Sequence, residues 1–108
     1  MQKKLSWEVF SKDDRNNAIE AIKHTISDGD GCIMNFSMFS DLALTISVEI
    51  EEEKIQKLYK AFSLVATMSA DLPSDINQQS KKEWIIFLSI SFIKGTGELK
   101  QQIPEVPG

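Results

Sequence analysis

Residues 84–93 read Trp-Ile-Ile-Phe-Leu-Ser-Ile-Ser-Phe-Ile, without a charge, a glycine or a proline. β-Branched and aromatic residues dominate, so the run is expected to be a strand rather than a short helix. One face carries Trp84, Ile86, Leu88, Ile90 and Phe92; the other carries Ile85, Phe87, Ser89, Ser91 and Ile93. A strand with one wet face alternates more cleanly than this. Both faces are therefore expected to be at least partly covered. A chain of 108 residues has little material to cover both, which points to self-association. The run constrains architecture and assembly, and by itself it implies no chemistry.

The remainder switches between two hydrophobic periods. Leu5, Trp7 and Val9 alternate with Ser6, Glu8 and Phe10, which predicts a short strand. Ala18, Ile19, Ile22, Thr25 and Ile26 follow at helical spacing. The predicted helix covers about residues 12–27, with Ser11 as N-cap and Asp13 and Asp14 in its first turn. Asp28-Gly29-Asp30-Gly31 is a turn. A hairpin comes next. Its first strand sets Cys32, Met34, Phe36 and Met38 against Ile33, Asn35, Ser37 and Phe39. Its second sets Leu42, Leu44, Ile46, Val48 and Ile50 against Ala43, Thr45, Ser47 and Glu49. Glu51, Glu52 and Glu53 open a second helix, whose stripe is Ile55, Leu58, Tyr59, Phe62, Val65 and Ala66 and whose end falls near Met68. Glu53 and Lys57 are placed for an i, i+4 pair. Residues 69–82 form a polar loop, and Gly95-Thr96-Gly97 ends the last strand.

The expected fold is α+β: a ferredoxin-like βαββαβ unit with a four-stranded antiparallel sheet and both helices on one face. Residues 1–97 form the domain and residues 98–108 an extended tail, which Leu99, Ile103 and Val106 could anchor. In the usual strand order the last strand lies at an edge, where a long apolar strand needs a partner or a cover. In element order, over about residues 5–94, the chain resembles ACT-type regulatory domains and dimeric α+β barrels. The loop Phe10-Ser11-Lys12-Asp13-Asp14 lacks the glycine that ACT-type domains place there, so no site residue carries over.

Composition narrows the function. The net charge of −4 argues against a basic phosphate-binding stripe. Phe10, Phe39 and Phe87 fall on the open sheet face, but the basic and aromatic motifs of RNA-binding sheets are missing. No apolar run approaches the roughly 20 residues of a membrane span. No apolar segment follows Met1-Gln2-Lys3-Lys4, so no signal peptide is read and a cytoplasmic location is expected. One cysteine, Cys32, excludes an intrachain disulfide and a multi-cysteine metal site, and its register predicts burial. His24 falls off the helix stripe and is expected to be exposed. Asp28 to Gly31 lacks the further acids of a calcium loop. Neither a metal nor a cofactor is implied.

No acid and base stand at an interpretable spacing, so the expected function is a small binding or regulatory module rather than an enzyme. Asn35, Ser37, Thr45, Ser47, Ser89 and Ser91 share the open face and could line a small-molecule cleft. Ile33, Phe39, Ile85, Phe87 and Ile93 would leave an apolar patch there, which predicts a homodimer on that face or on the edge at residues 84–93. The alternative is a structural or protein-interaction domain without a small ligand.

Overall fold

Strand β1 (Lys3–Ser11) runs through the body of the sheet and is followed by helix α1 (Arg15–Asp28). A hairpin of β2 (Cys32–Ser40) and β3 (Ala43–Glu51) comes next. A 3-10 turn over Glu52–Lys54 leads into α2 (Ile55–Val65). The two-residue β4 (Thr67–Met68) and the long β5 (Glu83–Phe92) complete a five-stranded mixed sheet. The structure is a computed structural model and describes residues 3–69 and 72–92. The expected glycine break at 95–97, the tail and Ile93 lie outside the described residues.

The order across the sheet is β2-β3-β5-β1-β4. This corrects the ferredoxin-like expectation. There the last long strand would lie outside β1 and antiparallel to it. That position is taken by β4, antiparallel to β1 through Val9–Met68 and Phe10–Thr67. Pro73 follows within a few residues, and proline cannot donate to a ladder. The chain then returns, and β5 enters between β3 and β1, antiparallel to the first and parallel to the second. The physical reason is burial. In the centre, β5 pairs along both edges, and Trp84, Ile86, Leu88, Ile90 and Phe92 are all buried.

Period-two alternation sets the faces. Trp7 opposes Leu88, which opposes Ile46; Val9 opposes Ile90, which opposes Leu44. These side chains form one core with Ala18, Ile22 and Ile26 of α1 and Ile55, Leu58 and Phe62 of α2. Both helices therefore pack on the same sheet face. Trp7 meets Tyr59 and Phe62 edge-on, with ring centres 5.3 and 6.2 Å apart. Gly31 lets the hairpin pass under α1. A Cβ there would fall 2.9 Å from Val48 Cγ1 and 3.0 Å from Ile26 Cγ2.

Local chemistry moves several boundaries. Asp14, not Ser11, caps α1: its carboxylate accepts from the Asn16 N–H at 3.1 Å. Ser11 is buried, and its hydroxyl accepts from the Asp13 N–H instead. Helix α1 thus starts three residues later than predicted. In the turn after it, the left-handed residue is Asp30, at φ 65°, rather than either glycine. The acidic run does not open α2. Glu51 ends β3, and Glu52 turns inward and is buried. Its carboxylate accepts from the Asn77 N–H at 2.8 Å, while its own N–H donates to Lys82 O. That backbone donor, helped by Ser80 and Trp84, holds the Glu52 carboxyl below its usual range against the opposing effect of burial. One buried acid therefore ties the loop before β5 to the end of β3. Glu53 pairs with Lys81 at 3.0 Å rather than with Lys57.

Candidate binding surface

Strand β2 is one edge of the sheet, opposite the two-residue edge β4, and all nine of its residues are exposed. This corrects the expectation that Cys32, Met34, Phe36 and Met38 face the core. Two register shifts interrupt its pairing with β3, one between Ile33 and Asn35 and one between Met38 and Ser40. The first displaces Met34, which is 55% exposed, and reverses the alternation. Cys32 consequently opposes Glu49 on the open face, and Ile33 opposes Val48 on the helix side. Phe36 and Met38 oppose Ile46 and Leu44, also on the helix side. They remain exposed because the strand overhangs the core at its rim. The Lys23 ammonium lies over Phe36, 5.1 Å from its ring centre. Phe39, 73% exposed, sits in the second irregularity, and Leu42 lies beside it in the hairpin turn.

Natural edge strands are usually protected by charge, proline or brevity. Strand β2 has neither charge nor proline. Its protection lies in the two shifts and in one hydrogen bond. The Phe36 N–H donates to the Asn35 side-chain oxygen at 2.9 Å. That is the geometry of an amide turned to the outer side of the strand and plugged by its own neighbour.

The six polar residues expected to line a cleft do share the open face. Asn35 opposes Ser47, Ser37 opposes Thr45, and Thr45 opposes Ser89. Ser91 lies across from Ala43. The row continues to Glu8, which accepts from the Ser69 hydroxyl at 3.2 Å. Four described cavities lie elsewhere. One of about 260 Å³, at the start of α1, is lined by Asp13, Asp14, Arg15, Asn16, Asp41, Leu42 and Phe92. One of about 240 Å³ separates the ends of α1 and α2 beside Leu64 and Val65. The other two adjoin Glu52 and Gln78.

The expected apolar patch is divided. Ile85 and Phe87 lie half-buried on the open face of β5, whereas Ile33 lies on the helix side of β2. The proposed edge at residues 84–93 does not exist over the described residues, because β5 is central. His24 is exposed and pairs with Asp28 at 3.2 Å. Cys32 is exposed, against the expectation of burial. Among the described residues no cluster of three His, Cys, Asp or Glu side chains is placed to hold a metal. No described helix is long and apolar enough to cross a membrane.

At one end of the open face Glu83 stands opposite Glu51, one step from Glu49. Repulsion from Glu49, then desolvation, raises the Glu83 carboxyl above its usual range. A raised folded-state value means that the folded chain holds this proton more tightly than the unfolded one. The contribution to stability is complete below the ordinary carboxylate range and is lost as pH rises through the raised value. Glu83→Gln is therefore expected to be more stable than wild type near neutral pH, with the gain vanishing in acid. Urea denaturation at both pH values checks this; an equal gain at both would sink it.

Compared with models of protein families, with curated proteins and with solved structures, the chain matches none.

Proposed function

We propose that this chain is a binding module that takes a protein partner on the open edge of β2, adding the partner's strand to its own sheet. The observation that carries this is the nine-residue edge strand, exposed throughout, uncharged, and bearing Phe36, Met38 and Phe39. Edge addition supplies main-chain hydrogen bonds, and alternate side chains supply specificity. Here the helix side offers Phe36 and Met38 and the open side offers Asn35 and Ser37. Peptides selected from a displayed random library are expected to be extended and to lose binding to Met38→Pro. That variant removes an outward donor at a position where an edge strand tolerates proline. Binders indifferent to Met38→Pro, or none at all, would overturn the proposal.

The small-molecule alternative has one observation in its favour: Ser37, Thr45 and Ser89 form a polar row across three adjacent strands. A metabolite screen by thermal shift tests it, since a ligand of the native state raises the unfolding midpoint by mass action. A saturable shift abolished by Ser89→Ala would place the ligand on that row. A shift unchanged in Ser89→Ala would remove it.

A further inference from the structure

We propose that the strand received by β2 is β2 of a second copy, paired antiparallel about a twofold axis beside Ser37, with Asn35 as the plug that competes for the edge. The proposal rests on β2 being the binding edge and names its occupant.

A twofold axis normal to a sheet keeps each face on its own side, so directly opposed residues must share a face. The irregularities at 33/35 and 38/40 leave residues 35–38 as the regular segment. Within it, Phe36 carries its N–H outward, and alternation places the Met38 N–H on the same outer side. Setting Ser37 opposite the partner copy's Ser37 brings Phe36 opposite Met38 in both directions. The outward N–H and C=O groups of those two residues then make four hydrogen bonds between copies. Apolar side chains meet on the helix side, and on the open side Ser37 meets the Ser37 of the other copy. No other register uses both outward residues in both copies.

The self-complementary register favours the second copy over an unrelated strand, and charge does not oppose it. Each chain carries a net −4, yet β2 carries no charged residue, so pairing sets no like charges across the ladder. A basic or acidic partner strand would gain nothing from β2 itself. Ile33, Met34, Phe36, Met38, Phe39 and Leu42 are all exposed at this edge. Phe36 and Met38 lie inside the paired segment and the other four flank it, so pairing buries part of this exposed apolar surface rather than all of it. The two irregularities keep the paired segment short, and the twofold axis uses the β2 edge of each copy, leaving the short β4 edge on the far side out of the contact. The assembly therefore closes at two copies rather than growing into a fibre.

Pairing requires the Asn35 side chain to release the Phe36 N–H. Each copy carries this plug, so removing the competitor from both should tighten the dimer by about fivefold to a hundredfold, the worth of two hydrogen bonds. Sedimentation velocity over a concentration series, with circular dichroism as a check on folding, tests this on the full chain. The expected result is a reversible wild-type dimer, tighter in Asn35→Ala and monomeric in Met38→Pro. Met38→Lys, which sets positive charges about the axis, should also be monomeric and guards against a folding defect in the proline variant. A wild type that stays monomeric at every concentration overturns the second copy, as does a dimer indifferent to all three substitutions. If that monomer still binds selected peptides in a Met38-dependent way, the binding edge stands and only its occupant was misassigned. If the peptides bind Met38→Pro equally well, the edge itself fails.

Discussion

Ser89→Pro is expected to destabilise the domain by about 3 kcal/mol or more, a large share of the stability of an ordinary domain. Ser89 lies at the middle of β5, opposite Thr45 on one side and Glu8 on the other. Its side chain is exposed, so the substitution tests the backbone rather than the packing. Proline removes the N–H, strands an acceptor on a neighbouring strand and sets its ring against that strand. An edge strand escapes this by turning the missing donor outward; a strand paired along both edges cannot. Ser89→Ala, the control, should stay within about 0.5 kcal/mol of wild type. Urea denaturation measures all three proteins. A Ser89→Pro variant as stable as Ser89→Ala would mean that β5 is not central and that the strand order is wrong.

That order was the part of the fold hardest to read from residues. Alternation states which face a side chain takes, because successive Cβ atoms point to opposite faces. It does not state which strand lies alongside. Trp84 to Phe92 alternates identically at an edge or in the centre, and its freedom from charge, glycine and proline speaks for covered faces while leaving its place in the sheet open. Strand β4 was invisible, since Thr67-Met68 is too short to show a period. By contrast, the β3 alternation and Ile55, Leu58 and Phe62 of the helix stripe lie where their periods place them, while Val65 is exposed and ends α2 three residues short of the expected Met68.

The surface was legible in the same uneven way. Asn35, Ser37, Thr45, Ser47, Ser89 and Ser91 share a face because each strand keeps its parity through them. Ile33 and Cys32 were misassigned because one extra residue, Met34, reverses parity, and no glycine or proline marks the spot. Their exposure was misjudged for a second reason: a strand one place beyond the helices keeps an apolar face that the core does not reach. The sequence places Glu52 with Glu51 and Glu53 at the opening of the second helix. Its only distinguishing signal is position, the residue directly after the β3 alternation, where parity turns it back beneath the sheet end.

Phe62→Ala is expected to cost about 3–5 kcal/mol, the range for an aromatic side chain truncated inside a packed core. Phe62 is fully buried on α2, with its ring centre 6.2 Å from that of Trp7 and the planes at 81°. The edge-on geometry adds about 0.5–1.5 kcal/mol to the burial alone. Relaxation is hindered on both sides. Trp7 is held by Tyr59 at 5.3 Å, and Leu58, one turn back, is itself fully buried. The cavity should therefore stay largely open and carry its full cost. The Trp7 indole N–H is buried without a hydrogen-bond partner among the described residues. A cavity beside it should admit water and shift the tryptophan emission to the red. Leu64, two residues along α2, is 87% exposed, so Leu64→Ala should change stability by less than about 0.5 kcal/mol. The pair fixes which side of α2 faces the sheet. If Leu64→Ala were the costly substitution and Phe62→Ala the mild one, α2 would be rotated about its axis and the core built on Trp7 would be wrong.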